Sequence, residues 1–188
     1  MAERLEDTYL GEATQQFRHL KEMADGAIAQ VPAEDFFRTS DAESNSVALI
    51  VKHIAGNLRS RWTDFLTSDG EKPNRHRDQE FEATGHDSHA ALLEQWEAGW
   101  SLVFETMGSL VPADLKKTVL IREGPHSVLK AIQRQLTHNA YHVGQIVFLA
   151  KQLRSADWKT LSIPRGKTEQ FNAKMRERFR PSAREPRP

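Results

Sequence analysis

Four segments of the chain repeat apolar residues at the spacing of an amphipathic helix. Apolar positions three and four residues apart form one face of a helix with 3.6 residues per turn. The pattern covers about residues 5–30, 47–65, 88–110 and 127–153. Ser and Asn side chains before residue 47 offer N-caps for the second helix, while Pro32 and Pro112 mark the ends of the first and third. Four such helices predict an all-α fold, specifically a four-helix bundle.

Two stretches interrupt this pattern. Residues 67–85 are rich in Asp, Gly, Asn, Pro and charge and have no periodicity, which predicts a long connection between the second and third helices. Residues 118–121 read Thr-Val-Leu-Ile and are too few for a helix before the break at Gly124-Pro125. We expect a short strand or extended segment there, before the fourth helix.

The composition favours a folded, soluble protein. A length of 188 residues suits one domain, and four Trp and nine Phe argue against a disordered chain. The 26 basic and 26 acidic residues cancel, which weakens any assignment as a nucleic-acid or anionic-membrane binder. The longest apolar runs are five residues, whereas a span needs about 20. The first residues lack the apolar core of a signal peptide, so we expect a cytoplasmic location.

The neutral total hides an uneven distribution of charge. From Arg165 onward there are eight basic residues and three glutamates, so this end carries +5 and the rest of the chain −5. We expect a bundle domain over residues 1–172 and a basic, disordered tail over residues 173–188. A solvated tail is favoured over one that contacts an acidic partner or nucleic acid.

Histidine is the residue type on which metal chemistry would depend, because the chain has no cysteine. His138 and His142 are four apart on the predicted fourth helix, a spacing at which two imidazoles can share one metal ion. The same pair also fits two interfacial histidines bonded to water or backbone. His53 lies in an apolar stretch of the second helix with Gly56 at i+3, and a ring there needs either a structural partner or a chemical role.

Taken together, the three histidines can converge on one site in a bundle. Three imidazoles leave coordination positions open for water or substrate, which is typical of a reactive site. A divalent ion there could lower the pKa of bound water to about 7 or hold an incoming thiolate. The pair His86 and His89 is better explained by its place at the start of the third helix than by metal binding. Glu123 and His126 have the spacing of a di-iron motif, but a Gly-Pro break lies between them, so we do not assign a di-iron site.

Two of these motifs carry a family resemblance. Residues 45–57, which include the run VKHIAGN, resemble the second-helix signature of the DinB-like superfamily, and residues 138–146, HNAYHVGQI, resemble its fourth-helix signature. Residues 158–167, WKTLSIPRGK, resemble a C-terminal segment of an uncharacterised subfamily. The resemblance covers about residues 1–172, and the superfamily includes bacillithiol- and mycothiol-dependent enzymes.

The resemblance implies a four-helix bundle with one divalent metal ion on His53, His138 and His142. Zinc or nickel is the expected metal, with iron and manganese as alternatives, and homodimers are frequent. It also implies, for some members, thiol S-transferase or hydrolase chemistry in detoxification or stress response.

Whether this chain is an enzyme stays open at this point. We consider a metal-dependent transferase or hydrolase whose small-molecule substrates include a low-molecular-weight thiol. The alternative is a non-catalytic stress protein that binds a metal or another ligand. Asn57, Tyr141 and Gln145 lie near the expected ligands in sequence and are candidates for orienting water or substrate.

Overall fold

The computed structural model describes residues 5–180, which are mostly helical with one small antiparallel hairpin. The four segments with helical periodicity are helices. No helix within residues 5–180 is long and apolar enough to cross a membrane. In chain order the helices and strands are α1 (Leu5–Ile28), α2 (Val47–Trp62), α3 (His89–Ser109), β1 (Thr118–Ile121), β2 (Gly124–Ser127), α4 (Val128–Arg154) and α5 (Thr168–Arg178). Short 3-10 helices lie at Arg77–Phe81, Pro112–Lys116 and Ser155–Asp157.

Serine N-caps fix the starts of three of these helices. Ser46, Ser88 and Ser127 each accept a hydrogen bond from the backbone N–H three residues later, at 3.1–3.2 Å. Such a cap contributes about 1 kcal/mol because it satisfies an N–H that has no partner inside the helix. The caps therefore set the register of α2 and α4, the helices that carry the three candidate histidines.

One apolar core holds the long helices together. α2 packs against α3 and α4, and α1 packs against α4. Phe17 of α1 contacts Trp62 and Trp100 edge-on, with ring centroids 5.6 and 6.4 Å apart. The indole N–H of Trp96 donates to Asp25 at 2.9 Å, which ties α3 to α1. This packing fixes α2 beside α4 and so places their histidines relative to one another.

The extended segment expected before α4 is one strand of a hairpin. β1 pairs with β2, a strand that we did not predict because Gly124-Pro125 was interpreted as a break. Pro125 is tolerated because a two-stranded hairpin consists of edge strands. The turn residues Arg122 and Glu123 have φ values of +54° and +61°, as a tight two-residue turn requires. The Asp69 carboxylate accepts hydrogen bonds from both of their N–H groups, at 2.9 and 2.7 Å.

The long connection between α2 and α3 is folded against α2. Its 3-10 helix, Arg77–Phe81, packs on α2. Ser60 of α2 donates to the carbonyl of Gly70 at 2.8 Å, and the Lys52 ammonium donates to the carbonyl of Glu82 at 2.9 Å. These two hydrogen bonds hold the connection to α2 near both ends of the connection, so the segment between them passes beside His53.

A fifth helix lies near the C-terminal end of the described residues, and the tail expected over residues 173–188 stays a prediction. Residues 173–178 belong to α5, a helix that buries none of its residues. Its sequence, TEQFNAKMRER, is rich in residues with high helix propensity, and Glu169 forms an ion pair with Arg176. The remainder of the predicted tail from residue 181 lies outside the described residues.

Candidate metal centre

α2 and α4 bring the three candidate histidines together. One ring nitrogen from each of His53, His138 and His142 lies within 4.8 Å of the other two. His53 and His142 are buried, with 3% and 8% of their surface exposed, and His138 is half-buried. Three imidazoles this close could bind a metal ion, and their role as ligands stays a prediction.

The closest pair has the spacing that a shared ion requires. His53 Nε2 and His138 Nε2 are 3.2 Å apart. Two nitrogens bound to tetrahedral zinc at 2.0–2.1 Å are separated by about 3.3 Å. The donor set therefore fits a divalent ion that accepts imidazole nitrogen.

A carboxylate from the long connection supports His53. His53 Nδ1 is 2.8 Å from Glu80 Oε2, and an ionised carboxylate can only accept, so Nδ1 donates. The lone pair of His53 Nε2 is then left to face the other histidines. Arg75 donates to both oxygens of Glu80, at 2.9 and 2.8 Å. Metal-ligating histidines are commonly held in this way by a carboxylate on the other ring nitrogen.

Electrostatics keep Glu80 in its charged form. Burial opposes ionisation, but the hydrogen bonds from His53 and Arg75 and the charge of Arg75 outweigh it and lower the pKa of this carboxyl. Gly56 makes room for it, since a Cβ at this position would overlap the Glu80 carboxylate. Gly56 follows His53 by three residues, and the Glu80 carboxylate, the partner of His53, occupies the space that this glycine leaves.

The three residues expected near the ligands have different surroundings. His142 Nδ1 donates to Gln145 Oε1 at 2.9 Å, which leaves His142 Nε2 free for an ion. The Tyr141 ring packs edge-on against His142 with centroids 4.9 Å apart, and the residue is 65% exposed. Asn57 is buried and accepts a hydrogen bond from Gln135 at 3.0 Å. Gln145 thus orients a candidate ligand, whereas Asn57 bonds to a neighbouring amide.

A cavity of about 430 Å³ opens beside the three histidines, and Asn57, Tyr141 and Gln145 all line it. Its wall also includes residues that the sequence did not reveal, from the hairpin and from the connection. Phe81 lies against the His53 ring with centroids 4.5 Å apart. No periodicity marked these residues, because their positions depend on how an irregular segment folds across α2.

Comparison with known families matches residues 4–167 to the family described as "Protein of unknown function (DUF1572)". The chain belongs to this family. The match covers most of the chain and includes the three histidines, Glu80 and Gly56. The family description names no activity. No curated protein and no solved structure matched the chain.

Acid should destabilise the metal-free protein through His138 and His142, whose pKa values are lowered in the folded state. Burial, together with the charges of His142 and His53, lowers the pKa of His138 to about 3 from 6.5. As the pH falls, His138 therefore binds a proton in the unfolded chain before it does so in the folded protein. The contribution of the neutral His138 ring to stability is fully present above pH 6.5 and is lost as the pH drops toward 3, by up to about tenfold in the folding constant per pH unit.

Urea unfolding of the metal-free protein at a series of pH values measures this dependence. The variant His138→Gln has no titrating ring and should show a shallower loss of stability between pH 6.5 and 4. An equal slope in the variant and the parent would mean that His138 does not contribute.

Proposed function

We propose that this protein is a metal-dependent enzyme built on a DinB-like four-helix bundle, with one divalent ion held by His53, His138 and His142. The observation that carries the proposal is the convergence of three imidazole nitrogens beside an open cavity whose wall carries both polar and apolar side chains. Zinc or nickel is the proposed metal, because imidazole suits both. Three protein ligands leave a coordination position for water or substrate.

The packing of the long helices supports the bundle. α1 to α4 pack pairwise around one core, and the proposed ligands project from the neighbouring helices α2 and α4. Metal sites in helix bundles are commonly built from side chains on facing helices. The homodimer and the cytoplasmic location stay predictions of the sequence analysis.

The chain's own residues would position the reaction. When bound, a divalent ion lowers the pKa of coordinated water to about 7 or holds a thiolate. Glu80 and Gln145 fix the rings of His53 and His142 with their Nε2 lone pairs available. Because the chain has no cysteine, any thiol must arrive as a substrate. The proposed chemistry is transfer of an electrophilic group to a low-molecular-weight thiol, or hydrolysis of the electrophile, in detoxification or stress response.

The character of the cavity favours catalysis over passive binding. Apolar side chains packed over the three histidines would have supported a structural metal or a sequestering role. Phe81 packs on the His53 ring, but the cavity beside the three histidines has room for a small molecule, and its wall carries amide, phenol and guanidinium groups as well as apolar side chains. A non-catalytic stress protein is the alternative that the following experiment can reveal.

A panel of small thiols combined with electrophiles, and the electrophiles alone in water, tests the proposal. We expect turnover that requires the metal and falls at least about 100-fold in His138→Ala, because losing a ligand costs more than losing a side chain that only hydrogen-bonds to a ligand. His19→Ala replaces an exposed histidine on α1 and should leave the rate unchanged. A saturated metal site without turnover on any member of the panel would favour the non-catalytic alternative.

A further inference from the structure

The cavity beside the three histidines has a strongly one-sided charge. Its lining contains no Asp or Glu among residues 5–180. It contains five arginines, which come from α2, the connection, the hairpin turn and α4: Arg61, Arg75, Arg77, Arg122 and Arg134. Guanidinium groups from four separate parts of the fold thus line the same cavity.

The carboxylates behind the wall are too few to neutralise these arginines. Glu71 forms ion pairs with three of them, at 3.2 Å to Arg61, 3.2 Å to Arg75 and 3.3 Å to Arg122. Glu80 pairs with Arg75 at 2.8 Å. Asp69 also interacts with Arg61, but its oxygens accept backbone N–H groups of Glu71, Arg122 and Glu123. Three carboxylates therefore lie near the five arginines of the wall.

The remaining positive charge is poorly paired. Arg77 lies 3.7 Å from Asp78, whose side chain is 96% exposed, and such a pair is weak in water. Arg134 has no ion pair with any carboxylate in the part of the chain that the structure describes. Arg61 Nη1 is buried and has no hydrogen-bond partner within residues 5–180. A buried donor without a partner is costly unless a ligand supplies one.

The titration of Arg61 reflects the same crowding. Burial lowers its pKa to about 10, and the charges of Arg75, Arg122 and Arg134 contribute to the lowering, although Glu71 opposes it. The guanidinium groups are therefore close enough to repel one another. A divalent ion on three neutral imidazoles would add two further positive charges with no carboxylate ligand to offset them.

We infer that the cavity binds a small-molecule anion, and that Arg61 and Arg134 bind its carboxylate or phosphate oxygens. Arg134 is four residues before His138 on α4, so both side chains leave the same helix face and the anion would lie next to the histidines. Guanidinium groups form bidentate hydrogen bonds with both kinds of oxygen. The inference rests on the proposed function, because it makes the substrate of that same site anionic.

Calorimetric titration with inorganic phosphate, with succinate and with neutral succinamide tests this inference. The full-length protein is titrated as purified and again after metal removal, so that the arginines are assayed apart from any ion. We expect at least one of the two anions to bind both forms and succinamide to bind neither. Preference for phosphate would indicate a phosphate ester as substrate, and preference for succinate a carboxylic acid.

Two variants locate the binding site. Arg61→Gln and Arg134→Gln should each weaken anion binding about tenfold or more, which is about 1.4 kcal/mol. Arg134 is exposed, so its variant stays folded even if replacement of the buried Arg61 unfolds the protein. The matched controls are Arg59→Gln on α2 and Lys151→Gln on α4, which are exposed and do not line the cavity.

The outcomes separate this inference from the proposed function. Absence of anion binding, or binding by Arg134→Gln with the affinity of the parent, would overturn the inference even if the histidines hold a metal. Anion binding that depends on Arg134, in a protein without a metal site, would leave the inference standing and overturn the proposed function.

Discussion

Protein purified without a nickel column should contain about one divalent ion per chain, and His53→Ala, His138→Ala and His142→Ala should each lose most of it. Each substitution removes one of three imidazoles and leaves two, too few for a stable protein site. The loss should exceed the roughly 10–100-fold drop in affinity caused by changing a residue that hydrogen-bonds to a ligand without touching the metal. Elemental analysis after dialysis measures the metal content directly.

A histidine outside the cluster provides the control. His19 is exposed on α1, and His19→Ala should retain the full metal content. Circular dichroism must show that each variant is still helical, since His53 and His142 are buried and their replacement opens space in the protein. Full occupancy in any one of the three cluster variants would remove that residue from the site.

The three histidines could be selected from sequence because helix geometry fixes their relations locally. A separation of four residues places His138 and His142 on one face of any helix. His53 was recognisable because a polar ring in an apolar helix requires a partner. The periodicity of α2 and α4 was strong enough that no tertiary contact was needed to identify either helix.

The carboxylate behind His53 could not be found in the same way. Glu80 is 27 residues from His53 along the chain and lies in a segment without periodicity. Its position depends on Arg75, on the bonds between the connection and α2, and on the absence of a side chain at Gly56. Gly56 was the one local signal, and it indicated a space without identifying its occupant.

The hairpin shows a similar dependence on distant residues. Arg122 and Glu123 adopt left-handed backbone conformations that neither residue type favours. Asp69 stabilises this turn from 53 residues away by accepting both N–H groups. Composition around Gly124-Pro125 predicted only a break, because the interaction that turns the break into a hairpin is not local.

The connection that lacked a predicted role supplies much of the site. It contributes Glu80 behind His53 and also Arg75 and Arg77 on the cavity wall. The same segment thus joins the candidate ligands to the proposed anion-binding surface. A change at Glu80 tests whether this connection tunes the metal or serves only to stabilise the fold.

Glu80→Gln should weaken metal binding about 10–100-fold, the usual effect of removing the carboxylate that hydrogen-bonds to a ligating histidine. The amide keeps the size of the carboxylate and can still accept from His53, but it lacks the negative charge that makes the imidazole a better donor. Competition with a chelator gives the affinity, and thermal unfolding of the metal-free protein reports any loss of stability from the Arg75 pair. Glu82→Gln changes an exposed charge in the same segment and should bind metal as the parent does.

Gly56→Ala tests the same contact from the other side. The added methyl group would overlap the Glu80 carboxylate and displace it from His53 without removing its charge. We therefore expect a loss of metal affinity similar to that of Glu80→Gln. Gly11→Ala on α1, where a Cβ has no neighbour within 4 Å, should leave metal binding unchanged. If both Glu80→Gln and Gly56→Ala bind metal with the affinity of the parent, Glu80 holds the connection in place and has no part in the metal site.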